Sequence, residues 1–171
     1  MLNKFKFFKE TSDKEKIEQI VKDAHEMCRR LLDSKLSHLE LSEYFYTTQE
    51  AVEELGLDDE LVHELVEDYV VQIIKASMQL QKHIGELRLL KEKNQELDYI
   101  PIKELVHKNL GVARNLRIQD ARAILLEMMS NEDLEHLELC NEALRACSIK
   151  LKPECAYKAL KLIEVKSSLE S

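Results

Sequence analysis

Apolar residues recur at intervals of three and four along almost the whole chain, and no useful length alternates with period two. Ile17, Ile20, Val21, Ala24, Met27, Cys28, Leu31 and Leu32 form the first stripe. It predicts a helix from about residue 12 or 13 to 41, with Ser12 and Glu15 as a capping-box start. A stripe of that length has to be covered, either by the side of a bundle or by its twin in a dimer. Residues 43–57 read as a connection holding a short helix, with Thr47-Thr48-Gln49-Glu50 as its capping box and Gly56 as its stop. Asp58 is a natural N-cap for a second long helix reaching roughly residue 91. There Leu61, Leu65, Tyr69, Ile73, Ala76, Leu80, Ile84 and Leu87 are flanked by Val62, Val66, Val70 and Ile74, a face wide enough for more than one neighbour.

Pro101 suits the first turn of the next helix, which should break near residues 115–117. A further helix is expected over 118–129, with Ala121, Ile124, Leu125 and Met128 inward. Asn131 is the expected cap of the following one, which carries Leu134, Leu137, Leu144 and Ile149 and stops before Pro153. Residues 154–168 complete the set, packing through Ala156, Leu160 and Ile163. Long helices and brief loops predict an all-α, up-and-down bundle over residues 47–171, preceded by an N-terminal helical extension, residues 1–46.

Composition narrows the function classes. The 171 residues include three Gly, two Pro and no Trp, with 34% charged, which suits long helices rather than sheets. A net charge of −8 argues against nucleic-acid binding, which needs a basic surface. The apolar runs are far too short for a membrane span. Residues 1–9 interleave lysine with Phe5, Phe7 and Phe8 but have no signal-peptide core, so cytoplasm is the expectation, with the phenylalanines packed on the bundle. Cys28, Cys140, Cys147 and Cys155 form no Cys-x-x-Cys pair and read as buried thiols. His25, His38, His63, His83 and His136 have no metal-ligand spacing, so neither a metal nor another cofactor is expected.

Residues 106–118 are the unusual stretch. Ile102, Leu105, Val106, Leu110, Val112, Ala113 and Leu116 fall on one broad arc of a helix, while Lys103, His107, Gly111 and Arg114 form a stripe on the other side. Helical side chains lean toward the N-terminus, so a side chain at 111 would cover His107. Glycine there costs about 1 kcal/mol relative to Ala. It either leaves the imidazole uncovered, or serves a close helix crossing or a helix end. Between residues 101 and 122 Lys103, Lys108, Arg114, Arg117 and Arg122 outweigh Glu104 and Asp120, a local balance of +3 within an acidic chain. Lys103 and Arg114 lie within about 40° of His107 on the helical wheel and Lys108 about 100° away.

His107-x-x-x-Gly111, followed by small and apolar residues to Asn115-Leu116, resembles the signature of histidine-containing phosphotransfer (HPt) domains. The similarity runs from about Ala51 to the C-terminus, its specific part lying within residues 107–118. The resemblance implies an antiparallel four-helix bundle. It also implies that His107 exchanges a phosphoryl group with the aspartate of a response-regulator receiver domain or a hybrid histidine kinase. The protein is then a phosphotransfer intermediate rather than a turnover enzyme, and the Mg²⁺ belongs to the receiver. The lysine usual three residues after the histidine is Leu110 here. Lys103 and Arg114, with Lys108 secondary, are expected to support the phosphoryl oxygens beside Gly111, and Leu110 to border the apolar rim where a partner docks. Two alternatives remain: a docking module that binds a receiver or another signalling protein without transfer, and an unrelated helical scaffold. The oligomeric expectation is a monomer, or a dimer through the N-terminal helix.

Overall fold

A computed structural model describes residues 2–170, with side chains from Ser12 to Glu170. The packing of Phe5, Phe7 and Phe8 expected from the sequence lies outside the described side chains. Among the described residues the secondary structure is all helical: α1 (Leu2–Arg30), α2 (Gln49–Leu55), α3 (Asp59–Glu92), α4 (Ile100–Asn115), α5 (Gln119–Met129), α6 (Leu134–Leu151) and α7 (Pro153–Glu170). No helix among them is long and apolar enough to cross a membrane.

The broad apolar face of α3 does meet several neighbours. It packs against α4, α6 and α7 and touches α2. Val62, Val66, Val70, Ile73 and Ile74 are wholly buried along it. Helix α4 packs on α5, α5 on α6, and α6 on α3 and α7. Burying each such aliphatic side chain contributes about 1.5–3 kcal/mol, which explains why the periodic stripes located the helices.

The C-terminal half of the N-terminal stripe is covered within the chain, while Ile17 and Val21 line an open groove. Ala24, Cys28, Leu31 and Leu32 are buried, and α1 lies against α6 and α7. They share one core with the residues of α3 to α7. The ends of this helix differ from expectation. It runs through Ser12, whose capping role disappears because the turns before it are already helical. It stops at Arg30 rather than near residue 41, continuing as a widened turn over Leu31–Lys35 in which Leu36 N–H donates to the Leu31 carbonyl at 2.8 Å. That widening lets Leu31, Leu32 and Leu36 all face inward.

Helix caps show the same mixture. Asp58 accepts from Leu61 N–H at 2.8 Å and Gly56, at φ 65°, ends α2, both as expected. Thr48 makes no cap; its hydroxyl donates to the Asp59 carboxylate instead. The cap of α6 is Asp133, accepting from His136 N–H at 3.0 Å, whereas Asn131 donates to the Glu127 carbonyl. An aspartate one residue from the helix start outcompetes the more distant amide.

Two sets of long-range bonds fix α4. Asn109, 1% exposed, donates to the Leu105 carbonyl at 2.8 Å and accepts from the Gln72 amide of α3 at 3.2 Å. At the other end the chain turns through Arg117 at φ 59°. Tyr46 donates to the Leu116 carbonyl at 2.9 Å, and the Tyr44 hydroxyl lies between the Arg117 carbonyl and Gln119 N–H, at 3.4 and 3.0 Å. The tyrosines satisfy groups that a helix end leaves without intrahelical partners. Burial pushes both phenols up to about 12, so they stay protonated donors through the neutral range.

A third tie joins the segment after α1 to α5 and α6. Glu127 meets His38 and His136, each at 2.9 Å. Burial raises its carboxyl pKa, but the two histidine hydrogen bonds prevail and hold it below the ordinary range.

Three stability measurements test these ties. Denaturant titration of Asn109→Ala should show a loss of about 1–3 kcal/mol, and Tyr46→Phe a loss of about 1 kcal/mol. For Glu127, a depressed folded pKa means the contribution is present above the unfolded value, about 4.3, and is lost as pH falls through the folded one. The deficit of Glu127→Gln relative to wild type should therefore be full at pH 6 and shrink below pH 4. A deficit that grows on acidification would contradict this.

Candidate functional site

The exposed face of α4 carries Glu104, His107, Lys108, Gly111, Arg114 and Asn115, while Ile102, Val106, Asn109, Leu110 and Ala113 are buried behind it. The helix alternates in this way because the buried residues fall on one side of its 3.6-residue period. Among the described residues no hydrogen bond or ion pair engages the His107 imidazole, which stands in solvent one turn before Gly111.

A Cβ built on Gly111 meets no atom within 4 Å. That excludes a close helix crossing as the reason for glycine, and α4 continues to Asn115, so the glycine does not end the helix either. Among the described residues no contact compensates for its helical cost. The effect of the missing side chain is an open approach to His107 from outside.

The three cations expected around the histidine, and Arg117 from the same basic stretch, divide. Lys103 is half-buried, and its ammonium donates to the Met129 carbonyl at 2.9 Å and pairs with Glu132 at 3.6 Å. It fastens α4 to the start of the α5–α6 loop and is not free to serve an anion. Arg117 is likewise held, by Glu54. Lys108 and Arg114 are exposed and without side-chain partners among the described residues. The order expected from the wheel is therefore corrected: Lys108 and Arg114 are the available pair. The reason is that α5 flanks the Lys103 side of α4, which tilts the solvent-facing sector toward Lys108. Glu104 shares this face, one turn before Lys108, and leaves the sector only weakly positive.

Leu110 does not form the expected rim. It is 3% exposed, and a partner cannot reach it. A lysine in its place would have to extend out of the core before approaching the imidazole. The concave surface near His107 lies on the opposite flank. It is a groove of about 500 Å³ between α3 and α4, lined by Gln79, Lys82, His83, Pro101, Glu104, Leu105 and Lys108. The contribution of α3 to this surface was not legible from the pattern around residue 107.

No group of three or more His, Cys, Asp or Glu side chains among the described residues is arranged to hold a metal ion. Chemistry at this face rests on one imidazole, two free cations and an uncovered backbone. A neutral imidazole exposed to solvent offers a nitrogen lone pair as nucleophile, and lysine and arginine are suited to phosphoryl oxygens. The chain matches no protein-family model, no curated protein and no solved structure closely enough to assign it to a family.

Proposed function

We propose that the protein is a histidine phosphocarrier, exchanging a phosphoryl group between His107 and the aspartate of a receiver domain in a two-component relay. The observation that carries this reading is the unpartnered His107 beside Gly111, a helical glycine that no internal contact requires. On this reading α3, α4, α5 and α6 are the four members of an HPt-like up-and-down bundle, with α1, α2 and α7 packed around it. Their successive contacts, and the return of α6 onto α3, support that assignment.

In transfer, the neutral imidazole nitrogen attacks the phosphorus of the receiver's aspartyl phosphate. An N–P bond forms as the acyl O–P bond breaks, and the electron pair leaves with the carboxylate. The reverse reaction passes the group on. Lys108 and Arg114 neutralise the phosphoryl oxygens, while the receiver brings its own Mg²⁺. The groove between α3 and α4, with Pro101 and Leu105 as its apolar members and Lys82 on its wall, replaces Leu110 as the docking surface. The second reading, a docking module without transfer, is favoured by one observation: Leu110 is buried where the family usually has lysine.

The test is incubation with purified receiver domains labelled at their aspartate. Acid-labile label should appear on the wild type, and His107→Gln should abolish it without loss of helicity. Lys108→Ala with Arg114→Ala should slow transfer about tenfold, equivalent to about 1.4 kcal/mol in the barrier. Lys103→Ala should mainly lower stability. Receiver binding without labelling would favour the docking module, and labelling that survives His107→Gln would refute the choice of histidine.

Gly111→Ala separates the functional from the structural account of the glycine. It should raise stability by up to about 1 kcal/mol, since the added methyl meets open space. At the same time it should lower the transfer rate. A variant that gains stability and transfers as fast as wild type would show that the opening beside His107 has no part in the reaction.

A further inference from the structure

A cavity of about 550 Å³ opens among α1, residues 41–44, α5 and α6. Cys28 of α1 and Cys147 of α6 line it, together with Lys22, His25, Asp120 and Lys150. The two sulfurs are 3.8 Å apart although 119 residues separate them in the chain. They are 4% and 7% exposed, so the cavity is their route to solvent.

We propose that Cys28 and Cys147 form a peroxide-reactive thiol pair that closes into a disulfide between α1 and α6. A disulfide needs its sulfurs about 2.05 Å apart. The separation seen here is a thiol–thiol contact that rotation of the two side chains and a small shift of α1 would close. The proposal is independent of the function assigned to His107.

The surroundings give the two sulfurs different roles. The Cys147 thiol beside it, helped by the Lys150 ammonium, holds the Cys28 thiol below the ordinary cysteine range despite burial. Cys147 is pushed the other way, by its contact with Cys28, by burial and by the Asp120 carboxylate. Cys28 is therefore the attacking thiolate and Cys147 the resolving thiol. Asp120, raised by its own burial, is placed to accept the resolving proton.

The steps balance. The Cys28 thiolate attacks one oxygen of hydrogen peroxide, the O–O bond breaks, and hydroxide leaves to be protonated to water. The product is a sulfenic acid on Cys28. Cys147 then attacks that sulfur, and its proton passes by way of Asp120 to the departing hydroxyl, which leaves as a second water. Two thiols and one hydrogen peroxide become one disulfide and two waters.

The reduced full chain, treated with hydrogen peroxide and mapped without reductant, should yield a Cys28–Cys147 peptide within monomeric protein. Dithiothreitol should reverse it, and Cys140 and Cys155 should remain open to alkylation after unfolding. The thermal midpoint should rise on oxidation, because the bond closes a loop of 119 residues in the unfolded chain. In Cys147→Ser, dimedone should trap a sulfenic acid on Cys28, whereas Cys28→Ser should give no such label on Cys147. Lys150→Met should slow the first step several-fold. Both thiols remaining free, cross-links between chains, or label on Cys147 in Cys28→Ser would each overturn the proposal. The wild-type mapping decides it even if a serine variant fails to fold.

Discussion

Asn109 is the one strongly polar side chain buried in α4, and both ends of its amide are occupied. Leaving such a group unpaired would cost about 1–3 kcal/mol, so a rotation of the helix about its axis is opposed by polar as well as apolar terms. That rotational setting decides which residues meet water. With Asn109 turned toward α3, His107, Lys108, Gly111 and Arg114 are displayed and Leu110 is covered. The tyrosines at the far end of the helix hold the same setting from outside, by bonding the turn through which α4 passes into α5.

The helices themselves were legible because their stripes record burial directly. The faces of α3, α5 and α6 read from spacing are the buried ones, except at the start of α3, where Leu61 is exposed and Leu65 half-buried. Termini were less legible. A capping box at Ser12 is a local pattern, and it yields to helix already formed upstream. At Asn131 a better acceptor at Asp133 takes the role. Contacts spanning many residues left no local mark: Gln72 with Asn109, Tyr46 with Leu116, and Cys28 with Cys147 cannot be paired from spacing.

The candidate site shows the same division. The position of Asn109 in the apolar arc implied a buried, bonded amide, and the exposure of His107 followed from the glycine on its stripe. The roles of the neighbouring cations could not be read that way. A helical wheel orders Lys103 and Lys108 by angle alone, while their availability depends on what other helices offer. The Met129 carbonyl and Glu132 engage Lys103, whereas among the described residues no group engages Lys108. The wheel also cannot show that Leu110 is covered and that the accessible concavity lies on the α3 side of α4.

The proposal to be tested is that His107, rather than any of the other five histidines, accepts the phosphoryl group. His38 and His136 share Glu127, His63 contacts Asp59 and Lys152, and His83 pairs with Glu86. His25 is exposed at the cavity beside Cys28 and, among the described residues, has no side-chain partner either; it lacks the neighbouring helical glycine that His107 has. The most direct measurement uses no protein partner: the chain, with isotope-labelled histidine, is exposed to phosphoramidate and followed by phosphorus and nitrogen NMR. The account predicts one acid-labile phosphohistidine, its phosphorus coupled to an imidazole nitrogen of His107. Modification spread over several histidines, or confined to another one, would contradict it.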